Sequence, residues 1–226
     1  ERAVFNLADG SRVMLGAESR LRIPAAYNTV AGGGRHLFLE GEAYFEVQHD
    51  STRPFLVETP TGIAEDLGTE FVVTAYPETQ GMRVVVKTGI VALRGLVPAQ
   101  SGGAGLVDTA ALLTLEAGDV ARLDTSGVAR LNRGVDIRRH LAWTEGTVLF
   151  DGTQLDEAVL QLGRWYDLDI RLADPSLGAL PLTATFRNEP APQMLRLLEL
   201  ALDVRVEQDG RHVILSSKKS GRRRSE

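Results

Sequence analysis

Leu39-Glu40-Gly41-Glu42-Ala43-Tyr44-Phe45-Glu46-Val47 is the stretch on which the reading of the fold turns. Leu39, Gly41, Ala43, Phe45 and Val47 fall on one side of an extended chain; Glu40, Glu42, Tyr44 and Glu46 fall on the other. Successive side chains of a strand point to opposite faces, so a strand with one buried and one wet face is predicted here. Gly41 interrupts the apolar row. A glycine inside a strand marks a bulge or a place where another backbone comes close.

The same alternation extends in both directions. Upstream, Phe5 and Leu7 precede Asp9-Gly10, and Val13 and Leu15 follow it. Asp-Gly between apolar runs is a hairpin signal, because both turn residues tolerate positive φ. Gly32-Gly33-Gly34 marks another break. Downstream, strands are predicted over residues 54–58, 68–75, 82–87 and 89–94. A loose loop at 98–105 contains Ser101-Gly102-Gly103-Ala104-Gly105, and strands resume at 111–115, 119–123 and 128–131. No helix is predicted before residue 140. Residues 1–141 therefore read as an all-β domain, either sandwich-like or a twisted β-solenoid.

The pattern changes after Trp143. A short strand at 147–150 is followed by Leu155, Ala158, Val159, Leu162 and Tyr166 at helical spacing. Thr153 is a candidate N-cap, with Asp156 and Glu157 in the first turn, where the helix dipole favours anions. Strands follow at Leu168, Ile170 and Leu172 and at Leu182, Ala184 and Phe186. A second helix has Pro192 near its start and Met194, Leu195, Leu197, Leu198, Ala201 and Leu202 as its apolar face, and a hairpin turns at Asp209-Gly210. The order β-α-β-β-α-β-β makes residues 142–217 a small α/β domain. Residues 218–226, with Lys218, Lys219, Arg222, Arg223 and Arg224, read as a basic solvated tail.

Composition narrows the function. The 226 residues are 43% apolar and 24% charged, with a net charge of -5, which argues against a nucleic-acid surface. With no cysteine, disulfides and thiolate metal sites are excluded. No stretch approaches the roughly 20 apolar residues of a membrane span, and no leader opens the chain. It reads as an excised soluble part or as a complete soluble protein.

Residues that could carry chemistry are few. His36, His49, His140 and His212 lack metal-site spacing. His49-Asp50-Ser51 holds the residue types of a catalytic triad, but triads are assembled from distant segments. No phosphate-binding glycine loop is present, and Asp151-Gly152-Thr153 reads as a turn and cap. Trp143, Trp165 and Tyr166 could offer a sugar platform, although Trp165 and Tyr166 end an amphipathic helix, where packing is the commoner role. No cofactor, metal or external substrate is expected. One dipeptide differs. In Leu67-Gly68-Thr69-Glu70-Phe71 the Thr69 hydroxyl can attack the Gly68 carbonyl in an N-to-O acyl shift, giving an ester that water cleaves. The ordinary reading of the same residues is the start of a strand.

Several of these strings resemble the FecR family in order and spacing. Gly41-Glu42-Ala43-Tyr44-Phe45-Glu46-Val47 resembles its GEAYFEV segment, Arg53-Pro54-Phe55 its RPF, and Leu67-Gly68-Thr69 with Phe71 its LGTxF. Leu7-Ala8-Asp9-Gly10-Ser11 resembles its LADGS, Val86-Lys87-Thr88-Gly89-Ile90-Val91 its VxxGxV, and Leu115, Ala117-Gly118-Asp119 its LxAGxxA. Trp143, Gly146, Val148 and Phe150 resemble the start of its C-terminal subdomain, itself similar to the short STN domain of secretins and TonB-dependent receptors.

The resemblance implies a periplasmic signalling region of a single-pass inner-membrane sigma-factor regulator. Its partner would be the signalling domain of a TonB-dependent outer-membrane transporter for siderophores. It would reach an ECF sigma factor through a cytoplasmic part, and the membrane through a helix, both outside this sequence. Docking is expected on residues 143–216, with Trp165, Tyr166, Thr183 and Thr185 as candidate contacts. Some family members self-cleave at the bond matching Gly68-Thr69. The rival readings are an envelope structural or carbohydrate-binding β domain and a hydrolase whose site lies within the β region.

Overall fold

The computed structural model describes residues 2–29, 34–66, 68–98, 106–187 and 189–218. The chain divides into two units between His140 and Leu141. The first unit contains β1 (Ala3–Asn6), β2 (Arg12–Leu15), β3 (Arg20–Arg22), β4 (Arg35–Glu46), β5 (Phe55–Glu58), β6 (Gly62–Asp66), β7 (Glu70–Ala75), β8 (Gly81–Thr88), β9 (Ile90–Pro98), β10 (Leu106–Glu116), β11 (Val120–Asp124) and β12 (Ala129–Asn132).

β4, which carries Leu39 to Glu46, is the strand that both halves of this unit share. The first half of β4 pairs with β3 and β5, and its second half pairs with β2 and β7. Two half-sheets therefore share one strand: β3-β4-β5-β6-β9-β10 and β1-β2-β4-β7-β8-β11-β12. Gly41 stands where the strand changes partners, at φ +100°. A Cβ there would lie 2.7 Å from Ser19 Cα, so position 41 needs glycine for both backbone and space. The Ser19 hydroxyl accepts a bond from Glu42 N at 2.8 Å.

Both half-sheets line one core. Leu37, Leu39, Phe55, Val57, Val91 and Leu93 enter from one side; Val13, Phe45, Phe71, Val73, Val84 and Val86 enter from the other. The Phe45 ring centroid is 5.6 Å from Phe55 and 5.2 Å from Phe71. All pairings in this unit are antiparallel except β4–β5. Among the described residues one sheet path runs through β4 and folds over a single core, as expected of the β-rich domain predicted for residues 1–141. Two strands, β3 and β6, lie outside the predicted set, and β7 begins at Glu70, two residues later than predicted. Of the predicted breaks, Gly32 and Gly33 and the loop residues 99–105 lie outside the described residues.

On the outer face of β4, Tyr44 is not wet as the alternation predicts: it is 5% exposed. Its hydroxyl donates to Glu70 Oε2 at 2.5 Å and accepts from Lys87 Nζ at 3.1 Å. Burial, and then the Glu70 bond, push the phenol up to about 12. The Lys87 and Tyr44 bonds hold the Glu70 carboxyl below its usual range.

Arg138–Leu141 forms a short helix, α1. The second unit then runs β13 (Thr147–Gln154), α2 (Leu155–Tyr166), β14 (Asp169–Leu172), β15 (Pro181–Arg187), α3 (Ala191–Leu202), β16 (Val204–Asp209) and β17 (His212–Ser217). This is the predicted β-α-β-β-α-β-β order. β13 and β15 make an antiparallel pair, while β17 lies between a parallel β14 and an antiparallel β16. Leu155, Ala158, Val159 and Leu162 of α2 and Met194, Leu195 and Leu198 of α3 share a core with Phe150, Phe186 and Val213.

Two local expectations fail. Thr153 does not cap α2: it pairs with Leu182 inside the β13–β15 ladder, and Gln154 occupies the cap position with no side-chain bond. Leu197 and Ala201 are exposed rather than on the buried face of α3. Of the basic tail only Lys218 is described, with Nζ 3.1 Å from Asp203 Oδ1; Lys219 and Arg222 to Arg224 lie outside the described residues. Among the described residues no helix is long and apolar enough to cross a membrane.

Candidate functional site

The chain crosses from one half-sheet to the other between β6 and β7, and Gly68 and Thr69 sit on that crossover. Asp66, the last residue of β6, is 1% exposed. Its Oδ2 accepts from Gly68 N at 3.0 Å and from Thr69 N at 3.1 Å. The Thr69 carbonyl accepts from Val47 N at 2.9 Å. Gly68 has φ +149°, and a Cβ on it would lie 2.8 Å from His49 Cα. On the other side, Thr69 Cγ2 occupies the space where a Cβ on Gly89 would fall. His49 and Gly89 thus confine the Gly68-Thr69 peptide from two sides. Thr69 is 5% exposed, and among the described residues neither its Oγ1 nor Asp66 Oδ1 has a hydrogen-bond partner. Leu67 lies outside the described residues.

His49, Asp50 and Ser51 do not form a triad. Asp50 Oδ1 accepts from Thr52 N and Oγ1 at 3.0 and 2.7 Å, and its Oδ2 accepts from Arg53 Nε at 2.8 Å. The Thr52 and Arg53 bonds hold this carboxyl well below the usual range. The other histidines are scattered. His36 Nε2 stands 2.8 Å from Glu58 Oε2, and His212 Nδ1 stands 3.1 Å from Asp169 Oδ2. Burial, helped by Arg83, Arg139 and Arg122, pushes His140 down to about 3. Among the described residues no three His, Asp or Glu side chains gather to hold a metal ion.

An open pocket of about 280 Å³ lies on the outer face of the β3–β4–β5 region, lined by Arg20, Arg22, Phe38, Glu40 and Glu58. An aromatic ring beside polar groups suits a sugar, but the Phe38 ring is already taken. The Arg22 guanidinium sits 3.5 Å from its centroid and His36 stacks on it at 4.6 Å.

In the second unit the four candidate contacts separate into two kinds. Trp165 and Tyr166 are half-buried and pack against the core. The Tyr166 hydroxyl is buried without a hydrogen-bond partner among the described residues. Thr183 and Thr185 are exposed on β15, which among the described residues pairs with β13 alone; Thr183 Oγ1 accepts from Gly152 N at 3.0 Å. The sequence reading missed a different surface. Leu197 and Leu200, one helical turn apart on α3, are 42% and 68% exposed. The signal was available: α3 carries leucine at 195, 197, 198, 200 and 202, more than one apolar stripe can hide.

Residues 1–92 match the family model described as FecR protein, and residues 147–215 match the one described as the FecR C-terminal region. Two crystal structures of a candidate anti-sigma factor from Parabacteroides distasonis, at 1.65 and 2.50 Å resolution, are similar to this chain with TM-scores of 0.79 and 0.78. Each is 24% identical and the matches cover 96% of this chain and 95% of theirs, which shows a shared fold. No curated protein matches.

Proposed function

Because the chain belongs to the FecR family, we propose that it is the periplasmic part of a membrane-anchored signalling regulator of the anti-sigma class and works by binding another protein. The partner is the N-terminal signalling domain of a TonB-dependent outer-membrane transporter, whose siderophore signal passes on to an ECF sigma factor. The second unit serves as an STN-like docking module. The observation that carries this reading is the combination, in that unit, of an exposed apolar row at Leu197 and Leu200 with a β15 edge that is unpaired among the described residues. An open edge accepts an added strand through main-chain bonds, and exposed apolar side chains supply the area that binding hides. The anti-sigma description of the Parabacteroides distasonis protein that shares the fold supports the same class. The Arg22 guanidinium and His36 on Phe38 argue against the rival carbohydrate reading.

The test is a titration of the full chain with a transporter signalling domain and, separately, with envelope polysaccharide. Leu200→Glu and Thr183→Pro should each weaken the protein complex by roughly 10-fold or more, the range expected of interface hot spots. Unchanged binding after deletion of residues 141–226 would sink the proposal, and binding of polysaccharide alone would favour the rival.

A second reading concerns the crossover. We infer that the Gly68-Thr69 bond can cleave itself by the acyl shift, because a buried Thr69 hydroxyl with no partner among the described residues sits beside a glycine carbonyl. Intact-mass measurement of fresh protein, with Thr69→Ala as the uncleavable control, tests it. Only full-length mass under all conditions would remove it.

A further inference from the structure

We propose that Asp66 is the acid–base catalyst of cleavage at Gly68-Thr69, a role that rests on the self-cleavage reading above. The reaction needs a group that takes the proton from Thr69 Oγ1 and a group that gives one to Thr69 N. Asp66 already touches the second of these atoms, since its Oδ2 accepts from Thr69 N at 3.1 Å. The other oxygen of the same carboxylate, Oδ1, is buried with no partner among the described residues, as is Thr69 Oγ1. A buried polar atom without a partner is costly, and folded proteins keep few of them. Here two stand three residues apart on one short crossover.

The chain supplies its own contrast. Asp9, Asp50 and Asp124 also close tight turns with their carboxylates, each with a hydroxyl residue two positions on. In each, that hydroxyl donates to the aspartate: Ser11 at 2.8 Å, Thr52 at 2.7 Å and Ser126 at 2.6 Å. At Asp66 both backbone N–H groups are satisfied in the same way, but the hydroxyl stands at the third position and has no partner among the described residues. Holding the turn uses Oδ2 alone and leaves Oδ1 and Oγ1 with nothing to do.

The steps balance. A turn about the Thr69 side-chain bond brings Oγ1 to the Gly68 carbonyl carbon. Oδ1 takes the hydroxyl proton, the C–O bond forms and the carbonyl oxygen carries the negative charge. The C–N bond breaks as the Asp66 carboxyl returns that proton to Thr69 N. The products are an ester between Gly68 and Thr69 Oγ1 and a free Thr69 amine. Water then hydrolyses the ester to a Gly68 carboxylate and restores the Thr69 hydroxyl.

The experiment follows fragment formation by intact mass in the full chain, with and without hydroxylamine, for wild type, Asp66→Asn and Thr69→Ala. The asparagine variant keeps an oxygen for both N–H groups but no longer takes a proton. It should slow fragment formation about 100-fold or more, in line with general acid–base catalysis, with its melting temperature close to wild type. Hydroxylamine, which cleaves only an ester already formed, should not restore it. Should Asp66→Asn not fold, Asp66→Ser, whose hydroxyl also accepts from backbone N–H, takes its place. Cleavage of a folded variant at the wild-type rate overturns the role of Asp66 and leaves self-cleavage standing. Recovery of the variant with hydroxylamine also overturns it, placing Asp66 in hydrolysis only. A wild type as inert as Thr69→Ala, with hydroxylamine present, overturns both.

Discussion

Arg35 Nη1 lies 3.2 Å from Asp9 Oδ2, and the two side chains are 0% and 3% exposed. The pair joins the turn of the first hairpin to the first residue of β4. Asp9 also accepts from Ser11 N at 3.0 Å and Ser11 Oγ at 2.8 Å, while the Ser11 hydroxyl accepts from Gln48 N at 3.0 Å. Arg35 donates further to the carbonyls of Arg53 at 2.8 Å, Gln48 at 2.6 Å and Asp50 at 3.3 Å. Breaking a buried pair by removing one partner costs about 3–5 kcal/mol, because the other charge stays buried. Arg35→Met should fall in that range and exceed Asp9→Asn, since it also strips three carbonyls of their donor. Urea denaturation midpoints measure both. An Arg35→Met loss below that of Asp9→Asn would contradict this account.

Gly41 sets a second prediction. The bend of β4 places it at φ +100° against Ser19. Gly41→Ala should destabilise by about 1–3 kcal/mol from backbone strain alone, with the contact to Ser19 adding to that. Gly34→Ala is the control, because nothing lies within 4 Å of a Cβ there. It should stay within about 0.5 kcal/mol of wild type. Thermal melts of the two variants decide, and equal losses would mean the bend does not depend on glycine.

Where period and polarity agree, the fold was legible from the sequence. Leu37, Leu39, Ala43 and Phe45 alternate and are buried, and the helices of the second unit follow their apolar spacing. β6 was illegible because its inward positions are Gly62, Ala64 and Asp66, while Ile63 and Glu65 face outward. A strand whose core side holds glycine, alanine and a carboxylate gives no apolar alternation to read. That inversion also hid Asp66, whose part in the crossover emerges only when β6 and β7 are placed on different half-sheets. Trp165 and Tyr166 drew notice by residue type, yet they pack against the core, while Leu200 lies off the predicted apolar face and is 68% exposed.

Alkaline titration offers a third test. The Tyr44 phenol is raised from 10.0 to about 12 by burial and by its bond to Glu70. The unfolded chain loses this proton first. Stability is therefore complete below about pH 10 and falls between about 10 and 12, where the folded state still holds the proton. Lys87, raised by its bonds to Glu70 and Tyr44, contributes in the same direction. Tyr44→Phe should make the decline in melting temperature across that window shallower. A decline as steep as that of wild type would show that Tyr44 is not the group responsible.

A cut between Gly68 and Thr69 should not separate the two pieces. The first would carry β1 to β6 and the second β7 onward, so the break falls on a crossover rather than within a ladder. β4 pairs with β7 at six positions, from Gly41–Ala75 to Glu46–Glu70, and β6 pairs with β9 at five, from Gly62–Gly95 to Asp66–Val91. Phe45 and Phe55 from one piece meet Phe71 from the other in the same core. Separation would expose the central strands of both half-sheets and that core together, so association is strongly favoured. Residues 1–68 and 69–226 produced together, or the product of cleavage itself, should co-elute on gel filtration at the size of the intact chain and part only in denaturant. Elution as two species in native buffer would mean that the shared strands and core do not hold the pieces, and that cutting the crossover releases one from the other.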